Sequence, residues 1–445
     1  MKLWDKNIKT ENEVLKFTVG NDPQYDKVLA PYDIVASLAH AIMLQECGLL
    51  STEEKEQIGA SLLNYYPKTL QKEFQLHPDD EDIHSHLENY LVSELGDAGK
   101  KIHTARSRND QVMVAMQLLM KEELRKIIEK VLALFEVILQ KGEENKEVLI
   151  PGYTHTQVAM PSSGAIWLGA YAESLVNDLM ILKGVVEVVD QNSLGSAAGF
   201  GTSFNIDREL TTQLAGFGDV LVSSASAQLS RGKHEANVAF ALASIACTLS
   251  RMSGDMILYM SQELNIISFP GELTTGSSIM PHKKNPDVLE LIRAHSNIVG
   301  QLPGTIMGLT ANLISGYHRD FQLIKEQLLP AFDRVGQCLS MMELMINNLS
   351  IRKDILDDPK YRYIFSVEVV NQKVMQGKTF RDAYREVGEE IENNTYAPGS
   401  GARYTHLGSI GNPGLDRIRK KMEKTRNSFH IRPIDEILEE LRKKF

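Results

Sequence analysis

The fold is decided by residues 110–142, which read DQVMVAMQLLMKEELRKIIEKVLALFEVILQKG. Apolar residues recur there at steps of three and four, which is the spacing of one face of an α-helix. Those positions are Val112, Met116, Leu119, Leu124, Ile127, Val131, Leu134 and Ile138. Gly142 marks the end of the pattern. The stretch therefore predicts a helix of about thirty residues, roughly 45 Å long at 1.5 Å per residue.

Other long helical patterns surround this one, whereas the alternation typical of β-strands is sparse. They cover residues 162–191, 226–263, a stretch that begins at 285, and 320–348. Ser51 followed by Glu54 predicts a capping box at the start of an earlier helix. Several very long helices in one chain predict an all-α fold, an elongated bundle of the kind in which facing helices bury a shared core.

The bundle faces predict association with further copies of the chain. Small residues that allow close helix approach recur at Ala236, Ala239, Ala241, Ala243, Ala246 and Gly254. The apolar stripe is too wide for one partner helix, so we expect an obligate oligomer; a monomeric bundle is the alternative. At 445 residues the chain exceeds one core. We expect an N-terminal helical domain (1–104), a central long-helix and oligomerisation domain (105–352) and a small C-terminal helical domain (353–445).

Charge and composition narrow the classes of partner and compartment. The net charge is −10, with 24% charged and 43% hydrophobic residues, which argues against nucleic acid or an anionic membrane as the main partner. The three cysteines form no metal-ligand spacing, and a reducing cytoplasm is the simplest setting. The first residues lack a signal-peptide core, and the apolar run at 238–249 is too short to span a bilayer.

The first chemical motif is the segment TGSSIMPHKKNPD at residues 275–287. Its glycine and two prolines predict an irregular loop. Asn285, Pro286 and Asp287 predict a helix start, with Asn285 as the N-cap. Two hydroxyls, an imidazole and two ammonium groups, with no carboxylate before Asp287, suit an anionic small molecule. A surface loop with incidental lysines is the alternative.

Two further motifs stand ahead of long helices. The segment HTARSRNDQ at 103–111 carries two guanidiniums, an amide and an imidazole, which suit carboxylate binding at a helix N-terminus; a solvated cap with Arg–Asp pairs is the alternative. The segment PGYTHTQ at 151–157 carries one histidine, His155, which the residues alone favour as structural. His84 and His86 suggest a metal site, but no further ligands lie nearby in sequence, so we expect none.

These three motifs together resemble the fumarase/aspartase superfamily, whose members cleave C–N or C–O bonds and release fumarate. Its signature loop reads Gly-Ser-Ser-x-Met-Pro-x-Lys-x-Asn-Pro. The KKNPD variant at 283–287, followed by LELIR at 289–293, most resembles the argininosuccinate lyase branch. The second motif is similar to the family's His-Thr-Gly-Arg-Ser-Arg-Asn-Asp-Gln block, except that Ala105 replaces glycine. The resemblance covers roughly residues 16–348.

The resemblance implies a role for each of a set of residues. Ser277 would be the catalytic base, Lys283 would stabilise the intermediate, and His155 paired with Glu290 would be the general acid. The implied substrate-binding residues are His103, Arg108, Asn109, Thr154, Asn285, Tyr317, Gln322 and Lys325. The chemistry is a β-elimination that needs no metal and no organic cofactor.

The resemblance also implies an assembly and a substrate. The partner would be a small dicarboxylate, and the assembly a homotetramer whose active sites are shared between subunits. The chain departs from the family pattern at residues 20–22, where a serine usually serves the substrate amino acid, and at 230–234. Adenylosuccinate, an N-acylated argininosuccinate and a crystallin-like structural role therefore stay open. The turn at 195–201 has no strand before it and is not expected to bind a dinucleotide.

Overall fold

The computed structural model describes residues 11–77, 80–398 and 404–445. The first ten residues, which carry much of the signal-peptide argument, lie outside the described residues. The α-helices are α1 Asn12–Val19, α2 Asp22–Asp26, α3 Ala30–Glu46, α4 Thr52–Thr69, α5 Ile83–Leu95, α6 Asp97–Lys100, α7 Arg108–Glu144, α8 Gly164–Val189, α9 Arg208–Leu214, α10 Ser224–Leu229, α11 Lys233–Tyr259, α12 Asp287–Leu309, α13 Ile324–Asn347, α14 Ser366–Met375, α15 Phe380–Glu392, α16 Leu415–Arg426 and α17 Ile434–Arg442.

Short strands and 3-10 turns connect these helices. The strands are β1 Leu149–Thr154, β2 Gln157–Ser163, β3 Gln191–Asn192, β4 Asp219–Val220, β5 Ile267–Ser268 and β6 Ser350–Ile351. They pair as β1–β2 and β5–β6, both antiparallel, and as β3–β4, which is parallel. The 3-10 turns are Lys27–Leu29, Lys101–His103, Gly271–Leu273, Arg319–Leu323, Ile355–Asp357 and Pro359–Tyr361.

Five long helices form the expected bundle, and the predicted all-α fold is confirmed. α7 packs against α8 and α13, and α11 packs against α8, α12 and α13. α7 is 37 residues long and begins with a capping box in which the Ser107 and Asp110 side chains each accept a backbone N–H bond. The predicted capping box of Ser51 and Glu54 is also present, at the start of α4.

The helix predicted over 226–263 is two helices. α10 ends at Leu229 and α11 begins at Lys233. Between them Gly232 has φ +78°, a left-handed conformation that glycine adopts at little cost. A Cβ at this position would lie 2.4 Å from Cγ2 of Thr310. Apolar periodicity continues on both sides of the break, so the sequence pattern alone did not reveal it.

The third motif forms a β-hairpin that the sequence did not predict. Thr154 pairs with Gln157, so His155 and Thr156 are the two turn residues. Both have positive φ, 52° and 59°, as a type I′ turn requires. Gly152 lies in β1, where a Cβ would come within 2.8 Å of the Met160 carbonyl oxygen. The hairpin was missed because its turn lacks the usual Asn-Gly or Asp-Gly pair.

One hydrophobic core runs through most of the described chain, from Leu29 to Leu441. It includes residues of α16 and α17, which return from the C-terminal part to pack against α8 and α3 respectively. A second, small cluster joins α14 and α15; its buried residues are Val369, Val370, Ala383, Val387 and Tyr396. The division at residues 104 and 352 stays a prediction, since the N-terminal helices and the last two helices share the main core.

Two segments are longer and more apolar than the run at 238–249 and reach the length and composition of a membrane span. They are Lys16–Glu46 and Gly164–Val189. In the most apolar window of each, 83% and 56% of the residues are buried inside the protein. Core helices of a globular bundle have the same composition, so these segments are explained by packing within the chain.

Candidate active site

The N-terminus of α7 is fixed by a buried carboxylate. Asp110 Oδ2 accepts hydrogen bonds from the backbone N–H groups of Gly195 (3.0 Å) and Ala197 (2.8 Å). Burial raises the pKa of Asp110 to about 6, while these hydrogen bonds and that from Ser107 lower it. The glycine-rich turn at 195–201 thus binds the protein's own carboxylate. The two-residue strand β3 does precede this turn, contrary to our premise.

A cavity of about 270 Å³ collects most of the second motif and the residues near 320. Five predicted substrate-binding residues line it: Arg108, Asn109, Tyr317, Gln322 and Lys325. The other lining residues are Val19, Asp22, Asp26, Glu81, Asp82, His84, Val112, Arg231 and Arg319. Acidic and basic side chains alternate around the cavity, so it suits a ligand that carries both signs of charge.

Lys325 was expected to bind a substrate carboxylate, but its ammonium is already paired. Nζ lies 2.7 Å from Asp22 Oδ1 and 2.6 Å from Asp26 Oδ1. The lysine side chain is 6% exposed, and Asp26 is 1% exposed. Burial raises the pKa of Asp22 to about 6, although the charge of Lys325 lowers it. The three groups form a buried cluster with one negative charge in excess when both carboxylates are ionised.

Two other predicted contacts are also engaged within the chain. Arg108 donates to Glu81 Oε2 (3.0 Å) and Ser85 Oγ (2.7 Å). Gln322 Nε2 donates to the carbonyl oxygens of Thr18 (3.0 Å) and Val19 (3.1 Å). These bonds orient both side chains at the cavity wall and leave the Gln322 amide oxygen available as an acceptor.

His103 and the two other histidines of the region have separate surroundings. His103 does not line the cavity; its Nδ1 lies 3.4 Å from Glu88 Oε2. His86 bonds Asp80 (2.6 Å) and the Tyr65 hydroxyl (2.7 Å). His84 and His86 therefore face different carboxylates and do not converge on one point.

His84 presents a buried nitrogen at the cavity. Its Nδ1 lies 3.0 Å from Asp33 Oδ2, and its Nε2 is buried with no hydrogen-bond partner among the described residues. Burial lowers the pKa of His84, but the charge and hydrogen bond of Asp33 outweigh it and raise the pKa above its usual value. A protonated His84 can donate from Nε2 to a ligand in the cavity.

The first motif forms an irregular loop in which Ser277 is half-buried and Lys283 exposed. Ser277 Oγ accepts hydrogen bonds from the backbone N–H groups of Ile279 (3.3 Å) and Met280 (3.1 Å). Two donors aimed at one hydroxyl oxygen stabilise negative charge on it, as in an oxyanion hole. The arrangement suits a serine that must carry an alkoxide.

Asn285 has a role other than the predicted N-cap. Its backbone pairs with Thr275 (Asn285 N to Thr275 O, 2.8 Å), and its Nδ2 donates to the Gly276 carbonyl oxygen (3.2 Å). The helix α12 begins two residues later, at Asp287, whose carboxylate accepts a hydrogen bond from the Thr275 hydroxyl. Asn285 therefore closes the loop at its base, and its amide oxygen faces outward from that bond.

The predicted general acid lies apart from its partner within the chain. His155 and Thr154 are exposed at the tip of the β1–β2 hairpin, and Glu290 is exposed in the first turn of α12. Among the described residues of a single chain, no hydrogen bond or ion pair joins His155 to Glu290. None of the residues of the hairpin tip or of the 275–286 loop lines the cavity. The His155–Glu290 pair stays a prediction.

Sequence reasoning missed several charged residues of the cavity. Asp22, Asp26, Glu81, Arg231 and Arg319 all line it. Asp22 and Arg231 lie in the two segments that depart from the family pattern, which is the only signal that marked them. The ion pairs of Asp22 and Asp26 with Lys325 join residues about three hundred positions apart, and no local pattern predicts such contacts.

A bundle of long helices that carries a serine-bearing cationic loop and a separate charged cavity defines a lyase of the fumarase/aspartase superfamily. The family model described as Lyase matches residues 8–300. The argininosuccinate lyase of Phocaeicola vulgatus is 48% identical over 430 residues, 97% of this chain and 96% of that protein. The argininosuccinate lyase of Parabacteroides distasonis is 46% identical and covers 98% of both chains. The chain belongs to the argininosuccinate lyase family.

A solved structure shows the same fold at low sequence identity. EDDS lyase in complex with formate has a TM-score of 0.77 and 20% identity, and the match covers 98% of this chain and 95% of that one. At this identity the likeness concerns the fold alone. It agrees with the all-α bundle described above.

Proposed function

We propose that this protein is an argininosuccinate lyase, which cleaves argininosuccinate to L-arginine and fumarate in arginine biosynthesis. The observation that carries the proposal is the environment of Ser277 Oγ, which accepts two backbone N–H bonds in a cationic loop. Membership of the family supports the substrate. The charged cavity supports it too, because the arginine end carries an ammonium, a carboxylate and a guanidinium.

The reaction begins with proton removal from the succinyl carbon next to a carboxylate. Ser277 Oγ, as an alkoxide stabilised by the N–H groups of Ile279 and Met280, takes this proton. Negative charge then builds on the carboxylate, and the Lys283 ammonium stabilises it. Asn285 holds a substrate carboxylate. No metal or organic cofactor takes part in these steps.

The C–N bond then breaks, and the leaving nitrogen needs a proton. His155, oriented and made more basic by Glu290, donates it. The electron pair of the broken carbon–hydrogen bond forms the fumarate double bond, and that of the C–N bond leaves with the guanidino group. Thr154, beside His155, contacts the substrate, as do Arg108, Asn109 and His103 of the second motif.

The three motifs belong to separate places on one chain, so the proposed active unit is a homotetramer. Each site combines the cavity of one subunit with the loop and the hairpin tip of others. The proposal places the enzyme in the cytoplasm, with no nucleic acid or membrane as partner. The net charge of −10 supports this exclusion.

Fumarate release tests the proposed function. The purified protein is incubated with argininosuccinate and, in parallel, with adenylosuccinate, and fumarate absorbance is followed. We expect release from argininosuccinate only. Faster release from adenylosuccinate would assign the rival lyase activity, and no release from either would favour a structural role.

A further inference from the structure

The two segments that depart from the family pattern meet at the same cavity. Residues 20–22 contribute Asp22, and residues 230–234 contribute Arg231; both line the cavity with Gln322 and Tyr317. Asp22 lies near enough to Arg231 for its charge to act on that guanidinium. Two departures that supply opposite charges to one cavity point to a shared ligand rather than to unrelated changes.

Arg231 is buried yet incompletely paired. Its exposed fraction is 7%, and its Nη1 atom is buried with no hydrogen-bond partner among the described residues. The guanidinium lies over the rings of Phe321 (4.9 Å) and Tyr317 (5.4 Å), which fix its plane. A buried guanidinium N–H without a partner is costly, and a carboxylate is the partner that its geometry favours.

Asp22 faces the opposite deficit. Asp22 and Asp26 share the single ammonium of Lys325, at 2.7 and 2.6 Å. Asp26 is further satisfied by the backbone N–H of Ile83 (2.5 Å), whereas Asp22 Oδ1 has no hydrogen bond of good geometry among the described residues. A ligand ammonium beside Asp22 would balance the excess negative charge of the cluster.

We propose that Asp22 and Arg231 form a selective pair for the α-amino-acid end of the ligand. Asp22 binds the α-ammonium and Arg231 binds the α-carboxylate of the arginine moiety. The proposal rests on the proposed function only for the identity of that moiety. Its consequence is that the α-amine must be free, so an Nα-acylated argininosuccinate is a poor substrate.

The test compares three ligands that differ only at this end. Arginine carries both charges, agmatine lacks the carboxylate, and Nα-acetylarginine lacks the ammonium. Binding to the full-length oligomer is measured by calorimetry. We expect arginine to bind about 10- to 100-fold more tightly than either analogue, the range for one charged hydrogen-bonded contact.

Variants assign each charge to its residue. Asp22→Asn should weaken arginine and agmatine binding about tenfold or more and leave Nα-acetylarginine binding unchanged. Arg231→Gln should weaken arginine and Nα-acetylarginine binding and leave agmatine binding unchanged. A purely structural role would weaken the binding of all three ligands together.

Two matched controls lie outside the cavity. Arg362→Gln removes a guanidinium that lies 4.6 Å over the Tyr363 ring, and Asp190→Asn removes a carboxylate paired with the buried Lys121. Both should keep wild-type selectivity. Equal binding of the three ligands by the wild-type protein would overturn the proposal without any variant, as would equal losses for all three in Asp22→Asn and Arg231→Gln.

The fumarate assay separates this proposal from the proposed function. Ligand selectivity that depends on Asp22 and Arg231 without fumarate release would sink the lyase assignment and keep the selective pair. Fumarate release with equal rates for argininosuccinate and its Nα-acetyl derivative would keep the lyase assignment and sink the pair.

Discussion

At the scale of single residues, the chemistry depends on how charge is balanced around a few polar atoms. Ser277 Oγ receives two backbone N–H bonds, whereas Lys325 receives two carboxylates. The serine matches what its motif predicted. The lysine does not, because its partners Asp22 and Asp26 come from the other end of the chain. Motif chemistry was predictable here, and long-range pairing was not.

Replacement of Ser277 by alanine should abolish most turnover. Without the oxygen that takes the proton, kcat should fall by a factor of about 10² to 10⁴, the contribution of one acid–base group, while KM changes little. Ser278→Ala, at the next residue of the same exposed loop, is the matched control and should retain most activity. Steady-state fumarate release measures both, and a kcat near wild type for Ser277→Ala would rule the base out.

His40 should make the protein sensitive to acid. It is fully buried, its Nε2 lies 2.9 Å from the Thr104 carbonyl oxygen, and burial, together with the nearby Arg106 charge, holds its pKa well below the ordinary value. A depressed pKa stabilises the folded state above the unfolded-state pKa. That stability is lost as the pH falls below about 6.5, by up to about 1.4 kcal/mol per pH unit.

The substitution His40→Gln removes this proton uptake and keeps a donor near Thr104. The urea midpoint of the variant should fall less steeply than that of the wild type between neutral pH and pH 5. His406→Gln, at an exposed histidine, should follow the wild-type slope. Parallel slopes for the wild type and His40→Gln would contradict the assignment of the uptake to His40.

At the scale of elements, apolar periodicity predicted the five long helices but not their interruptions. The break at Gly232 and the hairpin at 149–163 both depend on left-handed residues. At Gly232 the flanking helices carry the same period, and at the hairpin His155 and Thr156 occupy positions that usually favour Asn and Gly. These conformations are set by close contacts with distant segments, which periodicity does not record.

The break between α10 and α11 should tolerate only glycine. Gly232→Ala forces alanine into a left-handed conformation, which costs about 1–2 kcal/mol, and sets its Cβ against Thr310. We expect a lower free energy of unfolding in urea titrations. Gly388→Ala, within α15 and with open space around its Cα, should stabilise by about 0.5–1 kcal/mol instead. A neutral Gly232→Ala would show that the strain is absent.

At the scale of the whole molecule, one chain leaves bundle surface uncovered. Gly300, Gly304 and Gly308 follow one face of α12 with no atom within 4 Å of a built Cβ. Large exposed hydrophobic side chains lie on α11 and α12; they are Phe240, Leu258, Leu291, Ile298 and Met307. The width of the apolar stripe was visible in the sequence, and its exposure on a single chain supports the proposed tetramer.

A large side chain in the glycine stripe should block assembly without harming the subunit. Gly304→Leu meets no atom in one chain, but it would separate two closely packed α12 helices. We expect a species smaller than the tetramer in sedimentation velocity, with wild-type helix content and little activity. Gly388→Leu is the matched control and should sediment as the wild type. An intact tetramer for Gly304→Leu would place the contact elsewhere.

The central claim is that each active site combines motifs from different subunits, and subunit complementation tests it most directly. Ser277→Ala and His155→Asn are each expected to be nearly inactive alone. Co-expressed and purified as mixed tetramers, they should recover activity in up to about a quarter of the sites, because random assembly pairs an intact loop with an intact hairpin tip that often. Mixed tetramers no more active than either parent would contradict the claim.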